Sequence, residues 1–128
     1  MVSLDMEDGD MAVLRFLPPY RPQDEAHYLA ALERIAELDR PFVLLALFGG
    51  GPALSSSGDR EQALWFKRTR QRMEGMCRGC AMVRPGASET TATPFRRLWS
   101  FPFMATDDEQ AARTFLAGHR QKPAEDLP

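Results

Sequence analysis

The segment Phe42–Phe48, with the sequence FVLLALF, constrains the fold of this chain more than any other feature. Its seven consecutive apolar residues are too few for a typical helix, and three glycines follow them directly. A continuously apolar run of this length is typical of a central β-strand that is covered on both faces. The run therefore predicts an interior strand in a sheet with helices packed against it.

The rest of the chain alternates between strand-like and helix-like patterns. Such alternation predicts an α/β fold, here a single-domain sandwich with a mixed or parallel sheet of about four strands and crossover helices. In chain order the predicted elements are a strand over 11–17, a helix over 25–38 capped by Asp24, the strand over 42–48, a helix over 60–75 opened by Asp59, a strand over 80–83, a short helix from Thr93, a strand over 101–105 and a helix behind a Thr106–Glu109 capping box.

Both ends of the chain are polar, and we expect residues 1–10 and 119–128 to be disordered, with one domain over 11–118. No run approaches the length of about 18 apolar residues that suggests a membrane span. The first ten residues lack the basic and apolar regions of a secretory signal. We therefore expect a cytoplasmic protein with no membrane partner.

Charge is distributed unevenly along the chain. Residues 1–39 hold nine acidic and three basic side chains, whereas residues 40–100 hold four acidic and ten basic ones. A positive surface in the middle of the chain could attract an anionic partner, although a solvated basic helix face is the simpler interpretation. Nucleic acid is not an expected partner, because no aromatic platform accompanies the basic run 68–72.

The loop after the apolar strand, GGGPALSSSG, raises the question of phosphate binding. A P-loop requires a Lys-Ser or Lys-Thr pair that is missing here, and Leu54 stands where a dinucleotide-binding loop has its third glycine. We therefore predict no nucleotide and no other cofactor. The loop is either a flexible connection or a gate over some surface, and its serines are suited to cap the next helix.

The same loop nevertheless supplies the candidate ligand- or partner-binding residues. Backbone N–H groups at a helix start bind anions, and a phosphate on a serine there would be stabilised by the helix dipole and by Arg60. A small anion is thus a candidate ligand. The predicted binding residues are Gly49, Gly50, Gly51, Ser56, Ser57 and Arg60.

Cys77 and Cys80 form a C-R-G-C motif between a predicted helix and a predicted strand. A thioredoxin-like pair has the opposite order, and the negative end of a helix dipole disfavours a thiolate. Zinc would need two further ligands, for which only His27 and His119 are present besides carboxylates. Structural cysteines are the main interpretation, and a thiol redox or metal-binding protein is the alternative. No catalytic residue and no metal site are predicted.

The order of WFKRTRQRMEGMCRG, CAMV, FRRLWSF and TDDEQAARTFL after the apolar strand resembles the small bacterial STAS-like proteins, also called SpoIIAA-like. They are related to anti-sigma-factor antagonists, and the resemblance spans about residues 11–118. In phosphorylated members, the second serine of a D-S-S-G stretch is modified. Ser57 matches that serine, whereas Ser55 replaces the acidic residue and the polar run 59–62 replaces the usual apolar helix start.

The resemblance implies a non-enzymatic regulatory or protein-binding domain whose partner is another protein or a second copy of itself. It also makes Ser57 the candidate phosphorylation site.

Overall fold

The computed structural model describes residues 1–120 and has an α/β fold with a five-stranded mixed sheet and four helices. The α/β prediction is confirmed, with one strand more than expected. The elements are β1 Val2–Glu7, β2 Met11–Phe16, α1 Asp24–Ala36, β3 Phe42–Phe48, α2 Ser56–Met76, β4 Cys77–Val83, α3 Glu89–Leu98, β5 Phe103–Thr106 and α4 Glu109–Ala117.

The strands lie in the sheet in the order of the sequence, β1-β2-β3-β4-β5. Strands β2 to β5 are parallel to one another, and β1 pairs antiparallel with β2. The apolar run 42–48 is therefore the central strand, as predicted. Leu45 at its middle pairs with Val13 of β2 on one side and with Ala81 of β4 on the other, and all three side chains are fully buried.

The two faces of β3 belong to two separate apolar clusters because successive side chains of a strand point in opposite directions. Phe42, Leu44 and Ala46 pack with side chains of α1, α2 and α3. Val43, Leu45 and Leu47 pack with α4. Right-handed crossovers between neighbouring parallel strands place α1, α2 and α3 on the same face, so α4 covers the opposite one.

The prediction that residues 1–10 are disordered is wrong. Strand β1 pairs along its whole length with β2, and its residues Val2 and Leu4 pack against the core. The chain reverses at Asp8 and Gly9, whose φ angles are 54° and 80°. Asp-Gly between two strands is a strong hairpin signal, which the acidic character of this segment concealed.

Residues 119–128 are only partly described. His119 and Arg120 follow α4, and the Arg120 guanidinium donates a hydrogen bond from Nε to Asp10 over 3.1 Å. These two residues are held to the fold and do not begin a disordered tail. Residues 121–128 of the predicted tail lie outside the described residues.

Helix α2 and strand β4 both begin earlier than predicted. Ser55, and not Asp59, caps α2, because its Oγ accepts a hydrogen bond of 3.1 Å from the backbone N–H of Gly58. Strand β4 starts at Cys77 directly after the last residue of α2.

Helices α3 and α4 also begin at other residues than predicted. Helix α3 includes Pro94 in its interior and begins after Ser88, whose backbone N–H donates to Thr91 Oγ1 over 3.1 Å. Helix α4 is capped by Asp108, which accepts a hydrogen bond from the Gln110 N–H over 2.9 Å, and not by Thr106. Among residues 1–120, no helix combines the length and the apolar content needed to cross a bilayer.

The central position of β3 predicts that Leu45→Ala lowers the free energy of unfolding by about 2–5 kcal/mol, because it leaves a cavity between the sheet and α4. Leu64→Ala is the matched control, since the Leu64 side chain on α2 is 57% exposed. We expect the control to change stability by no more than about 0.5 kcal/mol. Urea denaturation of both variants measures the difference, and equal losses would contradict the interior position of Leu45.

Candidate functional site

A cavity of about 400 Å³ lies between the sheet and the helices α1, α2 and α3. It sits at the carboxyl ends of β2, β3 and β4, where Phe16, Phe48 and Arg84 line it, and the loop 49–54 runs along its edge. Ligands of open α/β sheets bind in the crevice at this end of the strands. We call this space the aromatic cavity.

Aromatic side chains form a large part of its wall. Phe95 and Phe103 stack with ring centroids 4.7 Å apart and an interplanar angle of 8°, and Trp65 meets Trp99 edge to face at 6.3 Å. These mutual contacts hold the rings in defined orientations, so the wall exists before any ligand arrives. The aromatic residues that line the cavity are Phe16, Tyr20, Tyr28, Phe48, Trp65, Phe66, Phe95, Trp99 and Phe103.

Three buried polar groups on these side chains have no hydrogen-bond partner among the described residues. They are the indole N–H groups of Trp65 and Trp99 and the hydroxyl of Tyr20. Trp65 is 3% exposed and Trp99 is 4% exposed. Buried donors are nearly always paired in folded proteins, with protein groups, water or a ligand. Their occurrence together at one cavity marks this place as unusual within the fold.

Other polar side chains lie towards the opening. The Tyr28 hydroxyl donates to Gln62 Oε1, which leaves the amide nitrogen of Gln62 as a donor, and burial raises the pKa of Tyr28. Asp59 and Arg84 both line the cavity and are both exposed. Within residues 1–120, no carboxylate lies within ion-pair distance of the Arg84 guanidinium.

The glycine triplet has a packing role that its sequence did not reveal. Gly50 has a φ of 77°, in the left-handed region that favours glycine. A Cβ atom built on Gly49 would overlap the hydroxyl of Tyr20, and one on Gly51 would overlap its ring. The glycines thus let the chain turn and let Tyr20 lie against the backbone of the loop.

The first turn of α2 already holds a carboxylate from α1. Glu25 accepts hydrogen bonds from the backbone N–H of Ser55 over 2.5 Å and from its hydroxyl over 2.7 Å. These bonds lower the pKa of Glu25. Ser57 Oγ lies 3.2 Å from Ser55 Oγ, and a Cβ atom on Gly58 would come within 2.6 Å of the Glu25 carboxyl carbon. A small anion at this helix end would therefore have to displace Glu25.

The contacts between α1 and α2 continue beyond Glu25. Arg68 of α2 forms an ion pair with Glu33 of α1. Further along, the Arg72 guanidinium donates to the carbonyl of Leu38 over 2.8 Å, just after α1 ends. Together with the Tyr28–Gln62 and Glu25–Ser55 bonds, these contacts join the two helices along their whole length.

The predicted binding residues divide into two groups. Gly49, Gly50 and Gly51 line the aromatic cavity. Ser56, Ser57 and Arg60 lie outside it, exposed on the first turns of α2. The cavity itself was not predicted from the sequence. The density of aromatic residues over 95–103 is the signal that could have indicated it.

Cys77 and Cys80 are both buried free thiols. Burial raises the pKa of Cys77 to about 12 and that of Cys80 well above its usual value. The thiolate that redox exchange or zinc binding requires is therefore disfavoured at both positions. In the described part of the chain, no three side chains of His, Cys, Asp or Glu are close enough to hold a metal ion.

Comparison of the chain with protein-family models, with curated proteins and with solved structures gave no match.

The packing of Tyr20 on the loop predicts that Gly51→Ala lowers the free energy of unfolding by about 1–3 kcal/mol, because the new Cβ displaces the ring. Gly75→Ala is a matched control that should change the free energy of unfolding in the opposite direction. Gly75 lies in α2 with open space around it, so alanine should stabilise the helix by about 0.5–1 kcal/mol. Denaturant unfolding measures both, and a neutral Gly51→Ala would contradict the close approach of Tyr20.

The bonds from Ser55 to Glu25 predict a pH-dependent contribution to stability. Because the folded-state pKa of Glu25 is lowered, its contribution is present above the unfolded pKa of about 4.3 and is lost as the pH falls through the lower folded value. Glu25→Gln should therefore reduce the midpoint of urea unfolding at pH 7 and have a shrinking effect below pH 4. Glu61→Gln is the exposed control, and a deficit that stays constant with pH would contradict the role of the charge.

Proposed function

We propose that this chain is a non-enzymatic STAS-like binding domain. In this proposal the aromatic cavity binds a small, largely apolar ligand. The loop 49–58 and the first turns of α2 bind a protein partner with an affinity that depends on whether the cavity is occupied. The single observation that carries the proposal is the aromatic cavity itself, which is preformed and opens beside that loop.

Size and chemistry both support a small-molecule ligand. Ligand pockets in proteins have volumes of roughly 300–1,000 Å³ and are lined mainly by hydrophobic and aromatic groups, with a few polar groups that orient the ligand. The cavity of about 400 Å³ fits this description, with Asp59, Gln62 and Arg84 as polar side chains on its lining.

The position of the loop supports a regulatory role. Gly49, Gly50 and Gly51 line the cavity, and the same loop leads through Ser55 into the exposed turn that holds Ser57 and Arg60. A ligand that contacts the loop differently in two arrangements shifts the balance between them. The exposed turn would then bind another protein, or a second copy of this chain, in one arrangement better than in the other.

The start of α2 is unfavourable for a free small anion. The Glu25 carboxylate already accepts the hydrogen bonds of Ser55, and its charge opposes a second anion there. Phosphorylation of Ser57 would bring a phosphate next to that carboxylate, because the Ser57 and Ser55 hydroxyls are 3.2 Å apart. A modified Ser57 would therefore compete with Glu25 for the helix start and loosen the tie between α1 and α2.

The proposal is tested with the neutral dye N-phenyl-1-naphthylamine, whose fluorescence rises in apolar surroundings. We expect saturable binding to the wild type and at least tenfold weaker binding to Ala46→Leu, because Ala46 of β3 lines the cavity and leucine fills it. Ala63→Leu on the exposed side of α2 is the matched control and should bind as the wild type does. Thermal unfolding checks that each variant is folded, and Ala53→Leu at the loop replaces Ala46→Leu if the latter does not fold.

Amide hydrogen exchange tests the regulatory part. Saturation with the dye should slow exchange over residues 49–60 in the wild type and leave the Ala46→Leu protein unchanged. Absence of saturable dye binding, or equal binding by the wild type and the filled variants, would overturn the assignment of the cavity as a ligand site. Dye binding without any change over 49–60 would overturn the coupling to the loop.

A further inference from the structure

Several polar side chains around the aromatic cavity have unused hydrogen-bond donors. The indole N–H groups of Trp65 and Trp99 have no partner, and an indole nitrogen can only donate. Gln62 uses its oxygen for the Tyr28 hydroxyl and keeps its NH₂ group. The Tyr20 hydroxyl can donate as well as accept. A ligand that comes within reach of these groups is favoured if it carries hydrogen-bond acceptors.

Arg84 adds a positive charge to this set. It follows β4 directly, lines the cavity at its exposed end, and has no carboxylate within ion-pair distance among residues 1–120. Arg60, Arg78 and Arg97 also lack an ion pair among residues 1–120, but of the described arginines Arg84 alone lines the cavity, whereas others nearby are paired. Arg68 and Arg113, for example, are engaged by glutamates. A guanidinium that is left free at the opening of an apolar cavity is suited to a planar carboxylate.

We propose that the aromatic cavity binds a small aromatic monocarboxylate. Its ring lies among the aromatic side chains of the wall, and its carboxylate lies at the opening against Arg84. This inference rests on the proposed function and names the chemical class of the ligand. The stacked pair Phe95–Phe103 and the edge-to-face pair Trp65–Trp99 offer ring faces and edges that an aromatic ligand matches better than an aliphatic chain.

Among residues 1–120, Asp59 is the one acidic side chain on the cavity lining, and it would favour a cation instead. It lies exposed in the first turns of α2, where water screens its charge. The buried indole N–H groups of Trp65 and Trp99, in contrast, can only donate and favour an acceptor. Asp59 therefore weakens the binding of a carboxylate without reversing the preference, and its removal should strengthen that binding.

The test is competition with N-phenyl-1-naphthylamine by three ligands of one shape: 2-naphthoate, the neutral 2-naphthamide and the cationic 2-naphthylmethylamine. Calorimetry confirms each affinity. We expect 2-naphthoate to bind the wild type at least tenfold more tightly than the amide or the amine. Octanoate, which has the carboxylate without the ring, should bind more weakly than 2-naphthoate.

Three variants locate the charge effect. Arg84→Gln should weaken the binding of 2-naphthoate about tenfold and change the affinity for the amide less than twofold. Asp59→Asn should strengthen the binding of 2-naphthoate severalfold. Arg97→Gln is the matched control, since Arg97 is exposed on α3 and does not line the cavity. Because the Arg84 side chain is exposed, its variant should fold normally, and circular dichroism checks this.

The outcomes separate this inference from the proposed function. Equal affinities for the three naphthalene ligands, with no effect of Arg84→Gln, would overturn the proposal of a carboxylate ligand, while the cavity would remain a ligand site. If the amine binds most tightly and Asp59→Asn weakens its binding, the proposal of a carboxylate ligand is also overturned. Absence of binding by the dye and by all naphthalene ligands would overturn both proposals together.

Discussion

The pairing of β3 with β2 and β4 is the interaction on which the rest of the structure depends. Leu45 lies at the middle of three parallel strands, and its neighbours Val43 and Leu47 join it against α4. On the opposite face, Leu44 and Ala46 meet the helices that connect the strands. Because both faces are covered, the strand can be apolar at every position. The same arrangement brings its carboxyl end, and the glycine loop behind it, to the opening of the aromatic cavity.

Much of the fold could be predicted because its signals are local. The run FVLLALF is interior because it is continuously apolar, and α1 was found because its apolar residues recur at helical spacing. The limits of elements were less predictable. Ser55 and Asp59 are both good capping residues, and only the bond from Gly58 to Ser55 decides between them. Strand β1 was missed because its acidic residues suggested disorder, whereas its pairing with β2 depends on a partner outside the segment.

The candidate site was predictable only in part. The glycine triplet was predicted to belong either to a flexible connection or to a gate over some surface, and no local pattern indicated its packing. Tyr20, which is 29 residues before Gly49 in the sequence, lies against the loop in the fold. The aromatic cavity depends on which faces of Trp65, Trp99 and Phe95 meet across three helices and a sheet, and no spacing in the sequence encodes this. The helix start was judged open to anions because Glu25, thirty residues before Ser55, could not be foreseen there.

The ties between α1 and α2 have a mechanical consequence. Glu25 holds one end of the pair and Arg72 the other, with the Tyr28–Gln62 bond between them. Two helices joined in this way move as a unit, because neither can tilt without breaking several of these bonds. Under the proposed function, a ligand that widens the space beneath them would therefore move the glycine loop, which borders that space, more readily than it would separate the two helices.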